Sequence, residues 1–285
     1  SLNQKTILIR TSWVYSTFGN NFVKTMIRLG KEKPELGVVN DQVGCPTYAK
    51  DLAWVIFEFI KKLPTIEYGI YHFSNSGVTS WCGFAQKIME LYGLNCKVNP
   101  ITTDQYPTPA KRPKYSVMNC DKTINTLQIN IPHWENALEE CIQLLKQQEM
   151  LEQIDVKKII AIAEAAGKEI MQIYDTDDFA VTDKSDNSPL TKADKAGNAV
   201  IVAALKKQYP QIPIISEENK MIEYADRKDW NYFWLVDPLD GTKEFIKKNG
   251  EFTVNIALVR NGKPVLGVVG IPAKNQMYYA VENKG

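Results

Sequence analysis

A cluster of carboxylates after an apolar run is the feature that most constrains this chain of 285 residues. The apolar residues 233–236 lead directly into the segment DPLDGT, residues 237–242. Its proline stiffens the turn, and its glycine lets the backbone pass close to a ligand. The two aspartates and the Leu239 carbonyl between them make a compact set of oxygen atoms, which hard cations such as Mg²⁺ prefer. The segment therefore predicts a divalent-cation site where a strand leaves the core.

Two other acidic segments are candidates for the same site. The pair Glu217-Glu218 stands at the end of a short apolar strand, and Asp194 follows Thr191 at the start of a predicted helix. Neighbouring strand ends could bring these groups to the aspartates, but spacing alone leaves that as a hypothesis. The alternative is a set of ordinary surface turns, where Asp, Pro and Gly are common. An isolated Asp-Gly pair would favour that alternative, whereas the three segments together favour a site.

Periodicity divides the chain near Met150. Strand-like and helix-like segments alternate before it, which is typical of the closing portion of an α/β domain. The predicted helices there begin at Asn21, Asp51, Ser80 and Pro132, and the predicted strands are 5–15, 36–39 and 69–73. After Met150, helices are predicted at 154–174 and 192–209, and extended segments at 213–216, 232–236, 252–259 and 265–271. Antiparallel pairing through a turn at Asn261-Gly262 predicts an α/β sandwich.

Charge and cysteine usage exclude several classes of function. The net charge of +1 gives no reason to expect binding to nucleic acid or to an anionic membrane. No apolar run approaches the roughly 20 residues of a membrane-spanning helix. The 5 cysteines lie in the first half without CxxC spacing, so we expect free thiols and a cytoplasmic location.

The second half resembles a known family of enzymes. The segments SPLTKAD at 188–194, ISEE at 215–218 and DPLDGT resemble the inositol monophosphatase superfamily of metal-dependent phosphatases, from about Met150 onward. The segments TKEFI and NGEFTVNIA, residues 242–246 and 249–257, are similar to the 3′(2′),5′-bisphosphate nucleotidases of that superfamily. The resemblance implies a phosphatase that removes the 3′-phosphate of adenosine 3′,5′-bisphosphate. Residues 150–285 would form its N-terminal, metal-binding part, without the C-terminal part.

The same resemblance implies roles for individual residues. The ligands of Mg²⁺ would be Glu217, Asp237, the Leu239 carbonyl and Asp240. Asp194 and Thr242 would orient and deprotonate the attacking water. Gly241 and Thr242 would donate backbone hydrogen bonds to the oxygens of the phosphate.

The first half resembles a different family. The segments RTSWVY, GNNFVKTM, DQVGCPTYAKDLA and RPKYSVMN, between residues 10 and 119, resemble the C-terminal part of dTDP-4-dehydrorhamnose reductases. These belong to the extended short-chain dehydrogenase/reductase class and use NADPH. Residues 1–149 would then be the substrate-binding, C-terminal portion of a Rossmann-type reductase. No GxxGxxG loop precedes Arg10 and no YxxxK occurs in this half, so the resemblance assigns it no cofactor-binding residue.

Five residues of the first half suit a pocket for dTDP-4-dehydro-L-rhamnose. Trp13 can stack on an apolar sugar face, and Arg112 can pair with a diphosphate through two hydrogen bonds. Asp41, Gln42 and Thr47 offer further hydrogen bonds. Each residue alone has a structural alternative: Trp13 as a core side chain, and Arg112 as a partner in a surface ion pair.

The sequence thus predicts a fusion or fragment of two enzymes, a Mg²⁺-dependent phosphatase and an NADPH-dependent reductase. The alternative is a catalytically inactive, truncated fusion of two neighbouring gene products. The run that begins at Met150, MLEQI, looks like the natural start of a nucleotidase and favours a fusion. The sequence leaves the oligomeric state open.

Overall fold

The computed structural model describes residues 5–110, 112–176, 182–183 and 189–284. The chain forms two compact units, Ser1–Gln153 and Ile154–Gly285. The last helix of the first unit, Trp134–Glu152, continues past Met150, so the division of the structure falls four residues after the boundary drawn from the sequence.

The first unit alternates short strands with helices. Its strands are β1 (Ile7–Arg10), β2 (Val14–Tyr15), β3 (Glu35–Val39), β4 (Val43–Gly44), β5 (Thr47–Tyr48), β6 (Gly69–His72), β7 (Thr79–Ser80) and β8 (Lys97–Ile101). Its helices are α1 (Phe22–Glu32), α2 (Ala49–Lys62), α3 (Trp81–Tyr92), α4 (Asp121–Leu127) and α5 (Trp134–Glu152), with a 3-10 turn at Thr103–Gln105. Strands β1 and β6, β2 and β5, and β3 and β8 pair in parallel, whereas β4 and β7 are antiparallel.

Side-chain caps fix the starts of α1 and α3 in this unit. Asn21 accepts a hydrogen bond from the Lys24 N–H at 3.2 Å and caps α1. Ser80 does the same for α3, where the Gly83 N–H donates at 2.9 Å. Gly93 ends α3 with a φ of +81°, a conformation that favours glycine. The helix starts predicted at Asn21 and Ser80 are confirmed.

The core of the first unit forms where α1, α3 and α5 meet. The side chains of Val23, Phe84, Ile88 and Leu138 are completely buried there. A second cluster lies under α2, where Phe59 packs edge-on against Tyr71 of β6. Parallel pairing with helices packed on it agrees with the predicted α/β class.

The second unit is a five-stranded mixed sheet with two long helices. Its helices are α6 (Val156–Tyr174), α7 (Lys192–Gln208), α8 (Tyr224–Arg227) and α9 (Thr242–Ile246), with a 3-10 turn at Pro272–Lys274. Its strands are β9 (Thr182–Asp183), β10 (Pro189–Leu190), β11 (Ile214–Ser216), β12 (Tyr232–Asp240), β13 (Thr253–Arg260), β14 (Lys263–Ile271) and β15 (Gln276–Val281). The sheet order is β11-β12-β13-β14-β15, and β9 pairs with β10.

The strand pairing of this unit was predicted only in part. The turn at Asn261-Gly262 has positive φ at both residues, 49° and 76°, and joins β13 to β14 as expected. Strand β11 runs parallel to β12, a pairing that the sequence analysis left open. The connection through residues 217–231 includes α8 and is long enough to bring the chain back to the same end of the sheet.

Helices α6 and α7 pack on each other and on this sheet. The predicted apolar stripe of α6 is buried at Ile159, Ile162, Ala163, Ala166 and Ile170. Among the described residues, no helix combines the length and apolar character that crossing a membrane requires.

Candidate functional site

Parallel pairing of β11 with β12 places two predicted metal ligands side by side. Ser216 is in register with Val236, so Glu217, the first residue after β11, lies beside Asp237 of β12. The Glu217 N–H donates to the Val236 carbonyl at 3.1 Å. The hypothesis that strand ends bring these carboxylates together therefore has a structural basis in the register of the sheet.

The DPLDGT segment is part of a strand rather than a turn beyond it. Strand β12 continues to Asp240 and stays paired with β13, because one extra residue is accommodated between the pairs Asp237–Asn255 and Asp240–Thr253. Such a bulge bends a strand and redirects its side chains. It presents both aspartates at the strand end, although the sequence predicted that the strand stops at residue 236.

Asp237 is the most electrostatically unusual group of the site. Its Oδ1 is buried and has no hydrogen-bond partner. Burial, followed by the charges of Glu217 and Asp240, raises the pKa of the Asp237 carboxyl to about 7. An unpartnered buried oxygen among other carboxylates suits a cation ligand, because a divalent cation would satisfy the oxygen and offset the repulsion.

The donor chemistry fits a hard cation, but the side chains do not form a finished cage. In the part of the chain that the structure describes, no three acidic, histidine or cysteine side chains are arranged as a ready metal site. The charges of Glu217 and Asp240 act on Asp237, and carboxylate oxygens are the ligands that a hard cation prefers. Binding would require Glu217 and Asp240, both on the exposed edge, to close on the cation.

A second pair of predicted residues does meet directly. The Thr242 hydroxyl lies 3.2 Å from Asp194 Oδ1, although the two residues are 48 apart in the chain. It also lies 3.3 Å from the Leu239 carbonyl, which is therefore part of the same group. Asp194 is almost completely buried. The predicted water-activating pair is thus assembled beside the DPLDGT segment.

The start of α7 holds Asp194 in place. Its Oδ2 accepts hydrogen bonds from the Thr191 N–H at 2.7 Å and from the Thr191 hydroxyl at 2.5 Å. The Thr191 hydroxyl in turn accepts from the Asp194 N–H, which completes a reciprocal cap. One carboxylate oxygen thus fixes the helix start, and the other is left for Thr242.

Gly241 allows the backbone just before Thr242 to pass close to Glu251. It has a φ of +93°, and a Cβ there would lie 2.8 Å from the Glu251 carbonyl, so a larger residue would strain the backbone. Helix α9 follows, anchored by Phe245, which packs against Tyr174 and Phe252 at centroid distances of 5.1 Å.

Residues that the sequence did not single out also enter this site. Asn198 of α7 accepts a hydrogen bond from the Ser216 hydroxyl at 2.7 Å, and Asn255 approaches Asp240 at 3.5 Å. Asn198 lies four residues after Asp194, which is the spacing of neighbours on one helix face. That spacing was the only signal available for it.

The predicted sugar-nucleotide residues of the first unit lie in two groups. Trp13 has a φ of 49°, and its ring stacks on Trp81 at a centroid distance of 3.7 Å. Its carbonyl accepts from the Thr47 N–H at 3.2 Å. Thr47 is fully buried, and its hydroxyl has no hydrogen-bond partner. Trp13 is partly buried and packs against the core cluster of the first unit, so the core alternative for this residue also has support.

Asp41 and Gln42 form the other group around Thr103. Asp41 accepts hydrogen bonds from the Thr103 hydroxyl and N–H at 2.7 and 2.9 Å, and the hydroxyl contact is the main reason that its pKa lies below the usual value. The Gln42 amide donates to the same hydroxyl at 3.1 Å. Arg112 is exposed. Strand β4 bonds to residue Lys114, which places the Arg112 segment beside Val43.

Comparison with known proteins assigns the units to families. A family model described as the RmlD substrate binding domain matches residues 1–147, more than half of the chain. The chain belongs to this family. The model of the inositol monophosphatase family matches residues 150–285, so an RmlD-type part is followed by an inositol monophosphatase-like part.

Individual relatives match one part each. The 3′(2′),5′-bisphosphate nucleotidase CysQ of Shigella flexneri is 53% identical over 128 residues, 45% of this chain and 52% of the relative. The dTDP-4-dehydrorhamnose reductase of Sinorhizobium fredii is 40% identical over 153 residues, 51% of this chain and 52% of the relative. The crystal structure of CysQ from Bacteroides thetaiotaomicron is 51% identical with a TM-score of 0.40, and the match covers 45% of this chain and 46% of that one. The chain spans about half the length of the curated relatives that it matches.

The carboxylate cluster of the inositol monophosphatase-like part generates a prediction about stability. Mg²⁺ at about 100 times its dissociation constant should stabilise the native state by about 2.7 kcal/mol, because it binds the folded site only. Asp237→Asn removes one charged ligand at nearly constant shape and should abolish this shift. Thermal melts of the full chain with Mg²⁺ or with chelator measure it. An equal response in the wild type and in Asp237→Asn would exclude Asp237 from the site.

Proposed function

We propose that residues 150–285 carry the metal-binding and water-activating part of a Mg²⁺-dependent phosphomonoesterase. The observation that carries this proposal is the contact between Thr242 and Asp194 beside Asp237 and Asp240. A hydroxyl hydrogen-bonded to a buried carboxylate, next to clustered oxygen ligands, is the arrangement needed to activate water near a metal-bound phosphate.

Each residue of the candidate site would have its own role in phosphate hydrolysis. Glu217, Asp237, Asp240 and the Leu239 carbonyl would hold Mg²⁺. The bound cation would lower the pKa of a coordinated water and offset charge on the phosphate. Thr242 would accept a hydrogen bond from that water while its own proton points at Asp194 Oδ1, so Asp194 serves as the final proton acceptor. The backbone N–H groups of Gly241 and Thr242 would face the oxygens of the phosphate.

The substrate that we propose is adenosine 3′,5′-bisphosphate, with release of its 3′-phosphate. Support comes from the similarity to nucleotidases named CysQ, at 53% identity, which is specific within the broader inositol monophosphatase family. An inositol monophosphate is the competing substrate class, because the family description alone would equally permit it.

Phosphate release tests this function in the full chain. The wild type should release phosphate from adenosine 3′,5′-bisphosphate with Mg²⁺ and not with chelator. Asp194→Asn should lower kcat by about 100- to 10,000-fold, the usual contribution of a general base. Thr242→Ala should cause a comparable loss, whereas Thr242→Ser keeps the hydroxyl and should retain much of the activity.

The outcomes separate the alternatives. Activity on inositol monophosphate alone would replace the proposed substrate while keeping the mechanism. Full activity in Asp194→Asn would refute the assigned base. A wild type that binds Mg²⁺ but hydrolyses neither substrate would favour the catalytically inactive fusion.

For residues 1–149 we infer a substrate-binding role toward a dTDP-sugar such as dTDP-4-dehydro-L-rhamnose. The Trp13 ring, which stacks on Trp81 and is partly exposed, supports this role, because an exposed indole surface can take an apolar sugar surface. Asp41, Gln42, Thr47 and Arg112 remain candidates for polar contacts. The motifs GxxGxxG and YxxxK do not occur in residues 1–149. We therefore assign no residue in this range to NADPH binding or to hydride transfer.

Binding of dTDP-L-rhamnose and of dTDP tests the role of Trp13. Trp13→Ala should weaken binding of dTDP-L-rhamnose by about 2- to 10-fold, the value of one aromatic contact. Binding of dTDP, which has no sugar to stack, should change less. Trp54→Ala removes a surface tryptophan of α2 and serves as the control. Titration calorimetry measures both ligands, and an equal loss for both would contradict sugar stacking.

The cellular location rests on weaker support. The cysteines Cys45, Cys82, Cys96, Cys120 and Cys141 are all free thiols, as expected in a reducing compartment. The cytoplasmic location inferred from the sequence therefore stays a prediction.

A further inference from the structure

Helix α7 touches the candidate phosphatase site at a second point, one turn after Asp194. Asn198 follows Asp194 by four residues and faces the same side of the helix. Its Oδ1 accepts a hydrogen bond from the Ser216 hydroxyl at 2.7 Å. Its Nδ2 donates to Asn219 Oδ1 at 3.0 Å. Both ends of the Asn198 amide are therefore used, on the two sides of the acidic pair Glu217-Glu218.

The residues that Asn198 binds frame a proposed metal ligand. Ser216 is the last residue of β11, is only 6% exposed, and immediately precedes Glu217. Asn219 follows the acidic pair and closes a turn, because its N–H donates to the Ser216 carbonyl at 3.1 Å. Glu217 itself is exposed and projects from this short turn. Its direction therefore depends on how the turn is held.

Two contacts hold the turn from different sides. The Glu217 N–H donates to the Val236 carbonyl and ties the turn to the strand that carries Asp237. Asn198 ties it to the helix that carries Asp194. Losing the second contact would leave Glu217 attached to the sheet but free to rotate away from Asp237.

We propose that Asn198 is a positioning residue, which orients Glu217 toward the cation and couples the metal site to the helix of the proposed base. This inference rests on the proposed phosphatase function and adds to it a residue that touches neither the metal nor the substrate. Groups that orient metal ligands typically change metal affinity by about 10- to 100-fold when they are removed.

Titration calorimetry with Mg²⁺ on the full chain tests the proposal without any turnover. Asn198→Ala should raise the Mg²⁺ dissociation constant by about 10- to 100-fold. Ser216→Ala breaks the same hydrogen bond from its other partner and should shift the constant in the same direction. Gln208→Ala removes an exposed amide from the last turn of α7 and should leave Mg²⁺ binding unchanged.

The double variant Asn198→Ala/Ser216→Ala measures how far the two side chains act on Mg²⁺ binding through the same contact. If the contact acts as proposed, the double variant should bind Mg²⁺ no more weakly than Asn198→Ala, because one contact cannot be lost twice. In phosphate-release assays, the Mg²⁺ concentration for half-maximal rate should rise more than kcat falls.

The results distinguish failure of the positioning role from failure of the proposed phosphatase function. A wild type that does not bind Mg²⁺ would overturn the phosphatase proposal itself. A wild type that binds Mg²⁺, with an unchanged constant in Asn198→Ala, would overturn only the positioning role, even if the variant melts at a lower temperature. If Asn198→Ala does not fold, the constant measured for Ser216→Ala decides.

Discussion

The parallel pairing of β11 with β12 is the constraint on which the candidate site depends. Two neighbouring parallel strands have their C-terminal ends at the same edge of a sheet, so residues at these ends lie close together. The register Ser216 to Val236 makes Glu217 and Asp237 neighbours, and the bulge that follows in β12 adds Asp240. An antiparallel β11 would have put Glu217 at the opposite end of the sheet. The acidic cluster is therefore a result of topology.

Helix α7 supplies the buried carboxylate of the candidate site, Asp194. Its reciprocal cap at Thr191 fixes one oxygen of Asp194, and the other meets the Thr242 hydroxyl. The helix thus links a group that can take a proton to a strand end that can hold a cation. Burial keeps Asp194 away from solvent, whereas Glu217 and Asp240 stay exposed at the surface.

The sequence predicted the types of residue at this site better than their geometry. Caps at Asn21 and Ser80 and the turn at Asn261-Gly262 were predictable because local hydrogen bonds and backbone preferences determine them. The direction of β11 could not be predicted, because an apolar segment of three residues has the same pattern in either direction. Asn198 was missed, since its four-residue spacing from Asp194 does not indicate a role until its partner Ser216 is placed beside it. The first unit illustrates the same limit: Thr103, which binds both Asp41 and Gln42, lies about 60 residues from them.

The central claim is that two separate segments, one around Glu217 and one that holds Asp237 and Asp240, bind one divalent cation. Paramagnetic broadening by Mn²⁺ tests it most directly. Backbone amide signals close to the bound ion lose intensity, and this loss falls steeply with distance from the ion. We predict that substoichiometric Mn²⁺ broadens the amide signals of residues 216–218 and 237–242 and that excess Mg²⁺ restores them. Broadening centred elsewhere, or confined to only one of these segments, would contradict the account.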